Sequence, residues 1–170
     1  LVEDDMLLAA LTEMRVSEFG YDVAVVATGE EAVERATGAE IFDLVLMDID
    51  LGSGIDGTVA AQRILARRML PIVFLTSHAE EAMVKKVRGI TRYGYVIKSS
   101  GDFVLQSSIE MALELYSAHC EIEVQLANLR ESRERFDHSL DAVNDALWDY
   151  RPGEGRLIWN ARYCALLGYA

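Results

Sequence analysis

Side chains that could bind a metal ion and a phosphoryl group follow four short apolar segments of this sequence. Neighbouring carboxylates repel one another unless a cation lies between them, and such oxygen ligands suit Mg²⁺. A carboxylate beside Mg²⁺ can accept a phosphoryl group, and a lysine and a hydroxyl can stabilise its oxygens. The set consists of Glu3, Asp4 and Asp5 after the first segment, Asp48 and Asp50 after the second, Thr76 after the third and Lys98 after the fourth.

Alternating strands and helices are predicted over residues 1–103. Short, nearly continuous apolar strands separated by amphipathic helices favour a parallel sheet covered on both faces. The carboxyl ends of its strands share one edge, so the polar set should converge there. We therefore expect an α/β fold with a doubly wound five-stranded parallel sheet. Strands are predicted to end at Val2 and to span 22–27, 43–47, 72–75 and 93–97, with helices around 7–19, 28–37, 60–65 and 79–88, and one from about 101.

A long helix is predicted to continue beyond this region, because residues 103–136 contain neither Gly nor Pro. Leu115, Ile122, Leu129 and Phe136 recur every seven residues, which is typical of a coiled coil. We expect residues 104–136 to form a linker helix that pairs two copies into a homodimer. The alternative is a single long helix packed on its own domain. The companion positions hold Ala112, His119, Leu126 and Arg133.

The final segment, residues 137–170, is rich in aromatic residues and should begin a second domain. A turn at 151–155 separates two short apolar stretches that end at Tyr150 and Trp159. The chain starts at Leu1 and ends within an apolar pattern, so we expect it to be part of a longer protein.

Four motifs in residues 1–103 resemble those of response-regulator receiver domains. They are VEDD (2–5), LVLMDIDLG (44–52), FLTSH (74–78) and GYVIK (94–98). The resemblance implies a flavodoxin-like fold, the cofactor Mg²⁺, and a histidine kinase or histidine phosphotransfer domain as phosphodonor. It implies that Asp48 is the phosphoacceptor, Glu3 and Asp4 the acidic pair, Asp4 a direct metal ligand, Asp50 a ligand through its backbone carbonyl, Lys98 the phosphate-binding lysine, and Thr76 and Tyr95 the switch pair.

Two positions depart from the usual receiver pattern. The loop after Asp48 is one residue longer before Gly57, and Ser99 replaces the usual proline after the lysine. We therefore expect this loop to make different partner contacts.

Residues 134–169 resemble the start of a PAS sensor domain. A receiver, a helical linker and a PAS domain together resemble the N-terminal part of a hybrid sensor histidine kinase. The sequence contains no nucleotide-binding glycine boxes, so a kinase module would lie elsewhere in the parent protein. Residues 137–170 would then be the truncated beginning of the PAS domain.

Composition narrows the possible functions further. The 170 residues carry a net charge of −12, which should repel nucleic acid. No apolar run approaches the length of a membrane span, and we expect a cytoplasmic protein. One alternative remains, because DIDLG (48–52) resembles the nucleophile loop of haloacid-dehalogenase-type Mg²⁺ phosphatases. In that alternative Asp48 attacks a substrate phosphate and Asp50 is the general acid.

Overall fold

The computed structural model describes residues 1–77, 89–91, 93–143, 148–153 and 155–168. The predicted helix at 79–88 lies outside these residues, as does His78, the last residue of the FLTSH motif. The chain divides into two compact units, Leu1–Cys120 and Glu121–Ala170. In the first unit the elements are α1 (Met6–Glu18), α2 (Gly29–Thr37), β1 (Val45–Asp48), α3 (Gly57–Leu65), β2 (Ile72–Thr76), β3 (Tyr95–Ile97) and the start of α4 (Asp102–Val143).

The central sheet is parallel and has the order β1-β2-β3. Val45 pairs with Ile72, and Thr76 pairs with Ile97, so the carboxyl ends of the three strands lie side by side. Val2 extends the sheet beyond β1 through isolated parallel bridges to Met47 and to Val26. The spatial order is therefore the Val26 segment, the Val2 segment, β1, β2 and β3, which is that of a flavodoxin-like fold.

The prediction of five full strands is not confirmed, since the described residues of the first unit form three strands and two isolated bridged residues, Val2 and Val26. Leu1 to Glu3 form hydrogen bonds with Val26 on one side and with Leu46 and Asp48 on the other. The β-branched run at 22–27 therefore contributes one bridged residue, Val26, although its composition favours a strand.

Successive residues of each strand face opposite sides of the sheet and build two cores. Met47 and Phe74 point to the side covered by α2 and α3, where Ala36 and Ile64 are also buried. The neighbouring residues on each strand point to the opposite side, which α1 and the first turns of α4 cover. Burial on both faces confirms the doubly wound α/β arrangement. The second core contains Leu46, Val73, Leu75, Val96, Val16, Leu105, Ile109 and Ala112.

Helix α4 is continuous over 42 residues, as the absence of Gly and Pro predicts. No helix among the described residues has both the length and the hydropathy that a membrane span requires.

In the second unit, β4 (Trp148–Arg151) and β5 (Arg156–Trp159) form an antiparallel pair. The short helix α5 (Ala161–Leu166) follows, and its N-cap Asn160 accepts a hydrogen bond from the N–H of Tyr163.

Candidate functional site

Asp48 is the last residue of β1, and 3% of its surface is exposed. Its backbone N–H donates to the carbonyl of Val2 at 3.0 Å, which fixes the end of β1 against the first segment. The backbone carbonyl of Asp48 contacts Gly57 so closely that any side chain at that position would collide with it. The start of α3 is thereby held against the backbone of Asp48.

Lys98 connects two buried carboxylates. Its Nζ atom donates a hydrogen bond to Oδ2 of Asp48 at 2.8 Å and forms an ion pair with Oε2 of Glu3 at 2.6 Å. The backbone N–H of Lys98 donates to the carbonyl of Thr76 at 2.8 Å, so pairing between β2 and β3 continues up to the lysine. Burial opposes the charge of Lys98, but the two carboxylates outweigh it and raise the lysine pKa above 10.5.

Glu3 is the most strongly buried acid of the described site. Burial raises its pKa above 4.5, the nearby Asp48 charge adds to the rise, and Lys98 opposes it. Its Oε2 atom is fully buried and forms an ion pair with Nζ of Lys98 at 2.6 Å. An oxygen atom buried in this way can act as a ligand for a cation.

Asp4 is exposed and stands beside these two acids. One carboxylate oxygen each from Glu3, Asp4 and Asp48 lies within 4.8 Å of the other two. Oδ2 of Asp4 also accepts a hydrogen bond from the N–H of Gly52 at 3.0 Å, which ties it to the loop after β1. Three carboxylates face one lysine here, so two negative charges are not neutralised. The donor set and its charge therefore fit a hard divalent cation such as Mg²⁺.

The predicted switch residues lie on neighbouring strands. Thr76 is the last residue of β2 and is buried, next to Ile97 of β3. Tyr95 begins β3 and is half-buried against the core on the α2 and α3 side. Thr76 therefore lies at the same sheet edge as Asp48, one register position beyond it, while Tyr95 lies three residues before Lys98 at the start of β3.

The structure brings most of the predicted site residues together at this edge. Glu3, Asp4, Asp48 and Lys98 form one cluster. Asp50 is exposed, and its N–H lies 3.4 Å from Oδ1 of Asp48.

Two acidic residues beside the site accept hydrogen bonds from the backbone. Asp5 caps α1 by accepting the N–H groups of Leu7 and Leu8, the ordinary role of an isolated aspartate after a strand. Glu30, which sequence reasoning missed, accepts a hydrogen bond from the N–H of Ile55 in the loop after β1. Its only sequence signal is its place in the first turn of a predicted helix.

Comparisons with known proteins agree with this geometry. Residues 1–110 match the family model described as a response regulator receiver domain. Transcriptional regulatory protein PdtaR of Mycobacterium tuberculosis is 31% identical over 137 residues, which cover 79% of this chain and 65% of PdtaR. The chain therefore spans less than two thirds of the length of that relative.

Two solved structures show the same fold with substantial identity. The N-terminal domain of a response regulator/sensory box/GGDEF 3-domain protein from Carboxydothermus hydrogenoformans is 46% identical, with a TM-score of 0.65, covering 70% of this chain and 95% of that one. The receiver domain of sensor histidine kinase PA1611 from Pseudomonas aeruginosa PAO1 is 28% identical, with a TM-score of 0.61, covering 66% and 93%. That structure contains a magnesium ion coordinated in the active-site cleft.

Proposed function

The chain belongs to the response regulator receiver family, and from this membership we propose that it accepts a phosphoryl group on Asp48 in a Mg²⁺-dependent reaction. A receiver domain acts in signal transduction with a histidine kinase or phosphotransfer partner. The observation that carries the proposal is the contact of Lys98 with both Asp48 and Glu3, beside Asp4. The family match does not favour the alternative of a haloacid-dehalogenase-type phosphatase.

The carboxylates of Glu3, Asp4 and Asp48, together with the backbone carbonyl of Asp50, would hold the Mg²⁺ ion. When bound, the ion supplies positive charge that neutralises phosphoryl oxygens during transfer. The net charge of −2 left by three carboxylates and one lysine matches a single divalent cation. The buried oxygen of Glu3 beside Lys98 and the magnesium in the PA1611 receiver support this assignment.

In the proposed reaction, a carboxylate oxygen of Asp48 attacks the phosphorus atom of a phosphohistidine. The new P–O bond forms as the P–N bond breaks, and the imidazole nitrogen keeps the electron pair. Lys98 already contacts the attacking carboxylate and can move to a phosphoryl oxygen as the charge develops there. The Thr76 hydroxyl, at the end of the adjacent strand, can donate to another phosphoryl oxygen.

The donor would approach over the edge where α1 begins. Met6, Leu7 and Leu11 are 86%, 70% and 47% exposed, and they follow the acidic pair within one to two helical turns. Such exposed apolar residues next to a reactive site are typical of an interaction surface. They support a protein phosphodonor over a small molecule as the natural partner.

Phosphorylation would be read out through Thr76 and Tyr95. A phosphoryl group is a strong acceptor, so it would draw the Thr76 hydroxyl toward it. The half-buried ring of Tyr95 could then turn inward toward the vacated space. The change would reach α4, which begins four residues after Lys98.

The linker helix would pass this change to a PAS domain that begins with residues 137–170. The β4-β5 pair and the short helix α5 fit the opening of such a domain. The Carboxydothermus protein, in which a response regulator precedes a sensory box, supports the order of receiver and sensor. A hybrid sensor histidine kinase is the parent protein that we propose.

We propose that α4 also pairs two copies of the chain over residues 104–136. Leu115, Ile122, Leu129 and Phe136 are between 49% and 67% exposed, and they recur with the seven-residue period of a coiled coil. Burying one such side chain contributes roughly 1.5 to 3 kcal/mol, so four in a row can stabilise a parallel dimer.

Labelling with a small acyl phosphate tests the central proposal. Incubation with Mg²⁺ should add one phosphoryl group to the intact chain, as measured by mass spectrometry, and chelation of Mg²⁺ should prevent the addition. Asp48→Asn should not be labelled, while Asp50→Asn, which removes an exposed acid two residues away, should be. Stoichiometric labelling of Asp48→Asn would show that another residue is the acceptor.

A further inference from the structure

Two backbone N–H groups of the loop between β1 and α3 donate to acidic side chains that are distant in sequence. The N–H of Gly52 donates to Oδ2 of Asp4, and the N–H of Ile55 donates to Oε1 of Glu30, each at 3.0 Å. The first acceptor belongs to the carboxylate cluster. The second belongs to α2, which lies outside that cluster, so it can hold the loop whether or not a metal ion is present.

The first turn of α2 is shaped to receive this loop. Glu30 follows Gly29, and a Cβ atom at Gly29 would stand 2.7 Å from Cγ1 and 2.8 Å from the carbonyl oxygen of Ile55. The helix can therefore approach the loop backbone only because residue 29 lacks a side chain. The two neighbouring residues thus provide the close approach and the hydrogen bond.

Gly54 completes the contact from the loop side. Its φ angle of +90° is one that residues with side chains rarely adopt. A Cβ atom there would also lie 2.5 Å from Oε2 and 2.6 Å from Oε1 of Glu30. The Glu30 carboxylate therefore occupies the space above Gly54 while it accepts the N–H of Ile55. The φ angle of Gly54 and the position of the Glu30 carboxylate therefore favour the same conformation of the loop.

We propose that Glu30 is a positioning residue for the magnesium site, acting through the loop that carries Asp50. This inference rests on the proposed function, in which the backbone carbonyl of Asp50 and the carboxylate of Asp4 bind the ion. Release of Ile55 would let the loop shift, which would displace Asp50 and the Gly52 N–H that holds Asp4. Glu30 itself touches neither the ion nor the phosphoryl group.

Mg²⁺ binding to the full chain tests the inference, with dissociation constants measured by isothermal titration calorimetry. Glu30→Ala should weaken binding about three- to tenfold, the size of the net contribution of one ordinary hydrogen bond, because the carboxylate of Glu30 is exposed. Glu30→Gln retains an oxygen acceptor and should remain within about twofold of the wild type. Glu31→Ala is the matched control, because it removes the same charge from the same helical turn. In the described structure the carboxylate of Glu31 accepts no hydrogen bond from the loop.

Two further measurements separate positioning from a general loss of structure or charge. The labelling rate of Glu30→Ala should return to the wild-type rate at saturating Mg²⁺, because the reacting groups are intact. Without metal, hydrogen exchange at the amides of Gly52 and Ile55 should be faster in Glu30→Ala than in the wild type and in Glu31→Ala.

The outcomes distinguish the inference from the proposed function. Equal Mg²⁺ affinity in Glu30→Ala and the wild type would overturn the role of Glu30 while leaving the metal site in place. Equal weakening in Glu30→Ala, Glu30→Gln and Glu31→Ala would also overturn it, since charge alone would then be the cause. Absence of Mg²⁺ binding in the wild type would overturn both the metal site and the positioning role.

Discussion

Replacing Lys98 with Met should destabilise the first unit strongly when no divalent cation is present. Methionine keeps most of the aliphatic stem and removes the ammonium group. That group contacts Glu3 and Asp48, whose side chains are 1% and 4% exposed, and it is itself 16% exposed. The substitution therefore leaves two buried carboxylates next to each other with their partner removed.

The expected loss in free energy of unfolding is about 3 kcal/mol at neutral pH, the lower end of what breaking a buried ion pair costs. Mg²⁺ should stabilise Lys98→Met more than the wild type, because the ion binds a more negative site. At a Mg²⁺ concentration about 100 times the dissociation constant of the substituted chain, binding adds about 2.7 kcal/mol to the free energy of unfolding of that chain. The substituted chain should therefore recover most of its stability.

Hydrogen exchange at the amides of β1 and β2 is the appropriate assay, since it reports opening of the first unit. Both tryptophans, Trp148 and Trp159, lie in the second unit and would report on that part instead. Glu40→Ala is the control within the first unit. It breaks an ion pair with Arg35 whose side chains are 52% and 31% exposed, and it should change stability much less than Lys98→Met does.

A double-substitution cycle makes the test specific. Adding Asp48→Asn to Lys98→Met should restore part of the loss, because one of the two buried charges is then gone. Two results would contradict this reasoning. Either Lys98→Met lowers the free energy of unfolding by less than about 1 kcal/mol, or Mg²⁺ does not reduce the difference in that free energy between the wild type and Lys98→Met.

Three further predictions concern pH, the switch and the linker. Glu3→Gln should stabilise the metal-free first unit at pH 7 and have a smaller effect at pH 4.5. The raised pKa of Glu3 means that the folded state binds the proton more tightly, so native stability falls as pH rises from about 4.5 through the raised pKa. An equal effect at both pH values in the hydrogen-exchange assay would contradict this prediction. Thr76→Ala should still be labelled on Asp48, while the NMR signals of the Tyr95 ring should no longer change on labelling; an unchanged ring signal in the labelled wild type would rule out the switch. Leu129→Asp should convert a dimer into a monomer in sedimentation at micromolar concentration, whereas Asn128→Asp should not; a monomeric wild type would contradict the coiled coil.

The site could be predicted from sequence because its members follow strands. Asp48, Thr76 and Lys98 come at the carboxyl ends of parallel strands, which share one edge whatever the rest of the fold. The long helix could be predicted because no residue between 103 and 136 breaks it. Local composition was sufficient in both cases.

What could not be predicted depends on contacts between distant parts of the chain. Glu30 and Ile55 meet because α2 and the loop after β1 pack together, and no periodicity in either segment records that meeting. The segment at 22–27 was predicted as a strand from its β-branched residues, but Val26 alone forms a bridge there, and Ala24 accepts a hydrogen bond from the N-terminus of Leu1. Sequence indicated which residues gather at the sheet edge, but the contact between Glu30 and the loop required the structure.

The boundary between the two compact units, after Cys120, lies within the continuous helix α4. Leu105, Ile109 and Ala112 are at most 2% exposed, and the hydroxyl of Tyr116 donates to the carbonyl of Met69 at 2.9 Å. A gene fusion that joined a new output module at residue 103 would remove Leu105, Ile109 and Ala112, which cover one face of the sheet. A junction after Cys120 would keep them, and adding or removing whole seven-residue blocks there would preserve the phase of the apolar stripe. If α4 pairs two copies as proposed, helical phase rather than loop length would determine where a new module can be joined.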